Sequence, residues 1–276
     1  MRPLITFALF ALSLQAGAQS PAHSQAATDS LVQGITVYKA GQYQEATRDF
    51  QSAVDAEPGW TTARLYLGIA LAYQVVPNVD SPENVALADR ALQQFNQILA
   101  AHAPAPAHDP DLAALRQIAT IQRNIKRFDD AIATERTIIG LDPKDAEAHY
   151  TVGVIEWTQA YNFTMLTLAG ESLKDDGVGN TRMSAAGCTT LTSHNRTLVD
   201  DSIGELNRAV ELRPAYSDAM QYLNLAFRQR ASLDCSDPAR RQQDLATADE
   251  WIRRSVEARK QIEQQRMQQT VDPSHN

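Results

Sequence analysis

The amino-acid sequence predicts an all-α chain, a right-handed α-solenoid of about five helix-turn-helix units. Three observations carry that prediction. Small and apolar residues recur at a fixed period: Gly34 and Gly68 lie 34 residues apart, and Gly34 is followed by Ala46, Phe50, Ala53 and Pro58 at steps of twelve, four, three and five. Of the twelve prolines, the nine that lie outside the termini and leader all fall between the segments so marked, or at their first turns, where a residue without an N–H is tolerated. Alternating β-branched runs that would build a sheet are missing from the sequence.

In chain order, residues 1–18 read as a secretory signal peptide: Arg2, an apolar stretch from Leu4 to Leu14, and Ala16-Gly17-Ala18 before Gln19. That apolar stretch reaches only about half of a bilayer core, so a retained membrane helix is the weaker reading, and no later stretch is long enough. The expected product is exported, periplasmic or secreted, with no membrane insertion after cleavage. Residues 19–28 are expected to be a flexible N-terminus. The repeats then run from residue 29 to 260. The spacing of the first copy recurs as Ala119, Ala131, Glu135, Ile138 and Pro143, and in part as Ser202, Leu206, Ala209 and Pro214. Weaker copies are Ala91, Phe95, Ile98 and Ala248, Ile252, Ser255. In each unit small residues let two antiparallel helices approach closely, a bulky residue one turn later fills the space between units, and Pro ends the second helix. Residues 261–276 form a polar, Gln-rich tail whose first part continues the last helix and whose end frays.

This pattern resembles the tetratricopeptide repeat (TPR) family, in an exported bacterial form. The first copy, Asp29 to Trp60, carries the small-residue, Ala, aromatic, Ala and Pro signature nearly complete, with Gly41-Gln42-Tyr43 in the turn. The resemblance implies a scaffold that hosts many unrelated binding roles. Relatives that clamp a terminal carboxylate use Lys and Asn at set places. Leu31, Ile35 and Tyr66 stand there in this chain, so that specificity is not implied.

Three insertions leave the array at one kind of turn, at about residues 74–82, 160–199 and 230–240, and are expected on one edge of the stack. The longest opens with an extension of its helix, and Gly170 to Ser193 is expected as a polar, Gly-rich loop, serving as a lid, a binding element or a packing flap. The two cysteines, Cys188 and Cys235, lie in two of these insertions. In an exported protein a disulfide is the expected pairing. A redox-active pair lacks the Cys-x-x-Cys spacing, and two free thiols would suit a chain that is not exported. An Ala/Pro tract from Ala100 to Pro110 reads as a stiff linker.

Charge and motif exclude much chemistry. With 25 Lys and Arg against 33 Asp and Glu, a net charge of −8 suits neither a phosphate backbone nor an anionic lipid surface, so no nucleic-acid partner is expected. His102, His108 and Asp109 sit in a linker that fixes no metal geometry. His149 is expected on the groove or surface. Lys174 to Asn180 lacks the acid spacing of a calcium loop and the Lys of a phosphate loop, and Ser172, Ser184 and Ser193 have no nucleophile frame. No catalytic residue, metal or cofactor is therefore expected. The concave face of the first helices is more informative. Tyr66, Tyr73, Arg116, Arg123, Tyr150, Trp157 and Arg228 are the candidate peptide-binding residues, since aromatic and Arg side chains anchor recognition surfaces. The reading is a non-catalytic scaffold that binds a protein or peptide in its groove. The alternatives are a cell-envelope assembly or maintenance factor working through the insertions or convex face, and an enzyme with its site on the 160–199 insertion.

Overall fold

The computed structural model describes residues 23–102 and 109–271; the signal segment, the centre of the Ala/Pro tract and the last five residues lie outside them. Ten helices follow in order among the described residues: α1 Gln25–Lys39, α2 Tyr43–Ala56, α3 Thr61–Ala72, α4 Pro82–His102, α5 Asp109–Asn124, α6 Phe128–Leu141, α7 Ala146–Gly170, α8 Ala185–Leu212, α9 Ser217–Leu233 and α10 Pro238–Val271. Each packs chiefly on its chain neighbours, which makes five helix pairs stacked in series.

Local chemistry explains the units. Gly41 at φ 78° and Lys126 at φ 61° occupy the same left-handed place after α1 and α5, and the following N–H groups of Gln42 and Arg127 reach back to Val37 O and Gln122 O at 3.0 and 2.8 Å. This reverses the chain within two residues and satisfies carbonyls at the helix end. Ser172 at φ 58° ends α7 in the same way, with Leu173 N donating to Leu168 O at 2.8 Å. Small residues permit the close helix contacts. A Cβ added at Gly68 would stand 2.7 Å from the Phe95 ring, and one at Gly153 would stand 2.6 Å from Leu206 Cγ. Where the small place is polar it bonds the facing backbone: Ser202 Oγ donates to Gly153 O at 2.7 Å, and Asn224 Nδ2 to Ala248 O at 2.8 Å.

Two apolar cores result. One surrounds Phe50, Leu67 and Phe95 in α1 to α5, and the other surrounds Leu191, Leu206 and Leu223 in α7 to α10. A small cluster of Leu115, Ile138 and Ala148 connects them. The seam between them also holds buried acids, Glu135 of α6 and Glu156 of α7. Burial holds both carboxyls protonated far above the usual carboxylate range, Glu135 up to about 7 and Glu156 up to about 8, against the nearby Arg123 and Arg136 guanidiniums respectively.

The elements depart from expectation at two places, the N-terminal entry and the long insertion. Residues 25–28 belong to α1 and are not flexible, because Ser24 Oγ accepts from Ala27 N at 3.3 Å and Ala27 is fully buried. The His23 ring stacks on Trp60 at 3.8 Å, tying that entry to the first unit. In the long insertion only residues 171–184 form a loop. Ala185 to Ser193 is helix, capped by Ser184 Oγ accepting from Gly187 N at 3.0 Å, while the Glu171 carboxylate accepts from Ser184 N at 2.8 Å. Residues 261–271 continue α10. The first insertion, between α3 and α4, is fastened by Asn84, which accepts from Val76 N at 2.8 Å and donates to Val76 O and Val79 O at 3.0 and 2.8 Å.

The long insertion is anchored on α9. Cys188 and Cys235 form a disulfide with a Cα separation of 6.2 Å, joining the start of α8 to the α9–α10 loop. Beside it Thr192 Oγ1 donates to Leu233 O at 3.0 Å, and Arg196 pairs with Asp234 at 2.9 Å. Further along the insertion, Asn180 Nδ2 donates to Ser232 Oγ at 3.1 Å.

Candidate functional site

The first helices of successive units, α1, α3, α5, α7 and α9, carry the seven groove candidates. The structure divides them. Tyr73 closes α3 and stands 60% exposed beside Tyr38 and Tyr43, at ring distances of 5.5 and 5.0 Å. Tyr66 is half-buried with its ring 5.4 Å from Phe50, so it packs between the first units. These two belong to the N-terminal half. The other five gather on α5, α7 and α9.

Arg116 and Arg123 lie two turns apart on α5. Arg116 pairs with Asp145 at 2.8 Å, and Asp145 also caps α7 by accepting from Glu147 N and Ala148 N at 3.0 and 3.1 Å. Arg123 is half-buried near Glu135 and Tyr150 and has no carboxylate within ion-pair distance among the described residues. From Tyr150 an aromatic strip continues: Tyr150 to Tyr222 at 5.8 Å, Tyr222 to Trp157 at 5.3 Å, and Trp157 stacked on Tyr161 at 5.0 Å. Burial pushes the Tyr150 hydroxyl up to about 12. Tyr216 flanks it at 4.9 Å from Tyr150 and donates to Glu147 Oε2 at 2.6 Å.

The strip ends in a recess of about 230 Å³ lined by Trp157, Tyr161, Leu225, Arg228 and Gln229, with Asp175 and Gly177 of the insertion as its wall. Arg228 holds that wall, donating to Gly177 O at 2.9 Å and pairing with Asp249 at 2.6 Å. Leu225 is 37% exposed in it, and Gln229 is buried, accepting from Thr164 Oγ1 at 2.8 Å. Apolar walls, one guanidinium and an enclosing loop suit an apolar side chain of a bound segment.

Against such a superposable frame, no protein-family model and no curated relative matches the chain. Solved structures do match. A MamA double mutant, RS-1 ArsTM, superposes at TM-score 0.56 and 17% identity over 87% of this chain and 98% of its own. MamA 41-end from Desulfovibrio magneticus RS-1 superposes at TM-score 0.55 and 17% identity over the same shares. A further MamA crystal structure gives 0.55 and 14% over 86% and 93%. The chain has a tetratricopeptide-repeat fold. In TPR terms α1, α3, α5, α7 and α9 are the first helices of five units, and the recess lies between the fourth and fifth.

Other candidates fall elsewhere. His149 is buried in the seam and lies off the groove surface; its Nδ1 stands 2.5 Å from Glu205 Oε2, a contact between α7 and α8 that offsets its burial. His102 Nδ1 meets the buried Asp111 at 2.6 Å, so this end of the linker has fixed geometry. Asp175, Asp176 and Asn180 bond one another and their own loop backbone at 2.9 to 3.1 Å. Groups of three or more metal-ligating side chains are absent among the described residues, as are helices long and apolar enough to cross a membrane.

Leu225 and the insertion wall were not among the sequence candidates. Asn224 stands in the small-residue place of the fifth unit, and Leu225 is the next residue along α9, outside the positions before and one turn after that place from which the candidates were drawn. No sequence signal places Asp175 and Gly177, about fifty residues before Leu225, against it.

Proposed function

We propose that this chain is an exported, non-catalytic scaffold that binds a protein or peptide in its concave groove. The observation that carries the proposal is the aromatic strip from Tyr150 to Tyr161 ending in the recess at Leu225 and Arg228. A stacked array presents this surface already ordered, so a partner segment bears most of the ordering cost of binding. Export is supported by the Arg2 to Ala18 pattern, and the Cys188–Cys235 bond fits an oxidising compartment. The test is affinity capture from envelope extract with wild type, Leu225→Arg and Arg123→Gln, matched for helicity. A partner held by wild type and lost by both variants supports groove binding; one held equally by all three refutes it.

A second reading has its own observation. Ile252 and Val256 are 39% and 46% exposed on α10 and line a recess of about 480 Å³ with Arg253, Arg254 and Lys260. An envelope factor working through its outer face would use this surface, and Ile252→Asp would then remove the partner that Leu225→Arg leaves bound.

A further inference from the structure

The bound segment's chemistry can be read from what the groove leaves unsatisfied. Three arginines lie on its helices, Arg116 and Arg123 on α5 and Arg228 on α9. Arg116 is neutralised by Asp145 at 2.8 Å and Arg228 by Asp249 at 2.6 Å. Arg123 has neither an ion pair nor a side-chain hydrogen bond among the described residues, although it is half-buried. A guanidinium in that state carries five donors and prefers a planar, bidentate acceptor, which a carboxylate supplies. Glu135 of α6, the acid that interacts with Arg123, lies buried and outside ion-pair distance, and burial pushes its carboxyl up to about 7, so near neutral pH it is only a partial counter-ion.

The surroundings set the rest of the ligand. Arg123 adjoins Tyr150, the start of the aromatic strip, and the strip leads to a recess with predominantly apolar walls. Tyr150 and Trp157 are two turns apart on α7, about 10 Å, the reach of about three extended residues.

We propose that the groove takes an extended peptide by two fixtures, a carboxylate on Arg123 and an apolar side chain in the recess between Trp157 and Leu225. This rests on the groove reading above and adds the ligand's class, an acidic residue separated by a few residues from a large apolar one. The chain as a whole is acidic, with a formal net charge of −8, so the preference comes from one local guanidinium and not from the overall field.

The test measures binding of short fluorescent peptides by polarisation, using the mature chain with its disulfide intact. Each peptide is glycine and serine apart from one Glu and one Phe, separated by about two to five residues in either order. The twins replace Glu by Gln or Phe by Ala. The expected result is that one spacing binds at least about tenfold tighter than its Gln twin, and that Arg123→Gln abolishes the difference while Leu225→Arg abolishes the preference for Phe over Ala. Because the Glu-to-Gln exchange is on the peptide, that comparison holds even if a protein variant folds poorly. Equal binding of the Glu and Gln twins to wild type, or no peptide binding at all, overturns the two-fixture inference. The groove reading survives either outcome if a captured partner still depends on Leu225, and falls if it does not.

Discussion

Glu156→Gln is expected to change how stability depends on pH. Glu156 stands at the inward place of the fourth unit, where the first two units have Val37 and Leu71, and only 2% of it is exposed. Its Oε1 accepts from Arg136 at 3.1 Å, its Oε2 is buried without a partner among the described residues, and Asp201 and Glu205 of α8 repel its charge. His149 faces the same acids through Glu205 at 2.5 Å. Burial raises the carboxyl from 4.5 to about 8. Between those values the folded chain holds a proton that the unfolded chain has released, so stability falls as pH rises through this window. At about 1.4 kcal/mol per decade of proton affinity, the whole loss is on the order of 3 to 5 kcal/mol. Gln keeps the acceptor for Arg136 and mimics the protonated acid. Reversible urea unfolding from about pH 5 to 9 should show wild type losing stability relative to Glu156→Gln, with the curves closest at the acid end. Parallel curves across the range would refute the argument, since every other titrating group is common to both.

Four further outcomes follow from the contacts. Gly68→Ala should destabilise by about 1–3 kcal/mol by thermal melt, despite the better helix propensity of Ala, because the new methyl meets Phe95 at 2.7 Å. Reducing Cys188–Cys235 should remove up to about 4 kcal/mol, the chain-entropy value for its 47-residue separation, and equal melts with and without reductant would contradict this. Asp145→Ala should cost about 1–2 kcal/mol in urea unfolding through the lost α7 cap, with more if Arg116 is left unpaired. The phenolate absorbance lost on Tyr150→Phe should appear in wild type with a midpoint near pH 12, and a midpoint near 10 would show its burial to be misread.

The helix pairs were legible because they rest on local chemistry. Gly34, Gly68 and the prolines mark close approach and helix ends at sites where few other residues fit. The long insertion was less legible because its helices are stabilised by distant partners. Ala185 to Ser193 is rich in Ser and Thr, weak helix formers, yet Leu191 is fully buried, Cys188 is bonded to Cys235, and Thr192 bonds Leu233 O. The extension of α7 was read from the sequence, and it packs through Ala160 and Leu168 and a buried polar set, with Asn195 Nδ2 donating to Ala160 O at 2.8 Å and Thr164 Oγ1 to Gln229 at 2.8 Å. Repeat phase drew five of the candidate residues to one end of the groove, but a wall supplied by a distant loop and the neighbouring Leu225 lay outside that phase.

The most direct measurement places a photo-crosslinking phenylalanine analogue at position 225 in the groove and, separately, at position 252 on the outer face of α10, both solvent-exposed, and irradiates each with envelope extract. Partner crosslinks from position 225, absent from position 252 and diminished by Arg123→Gln, are the expected result. Crosslinks from position 252 with none from position 225 would contradict groove binding and transfer the function to the outer face.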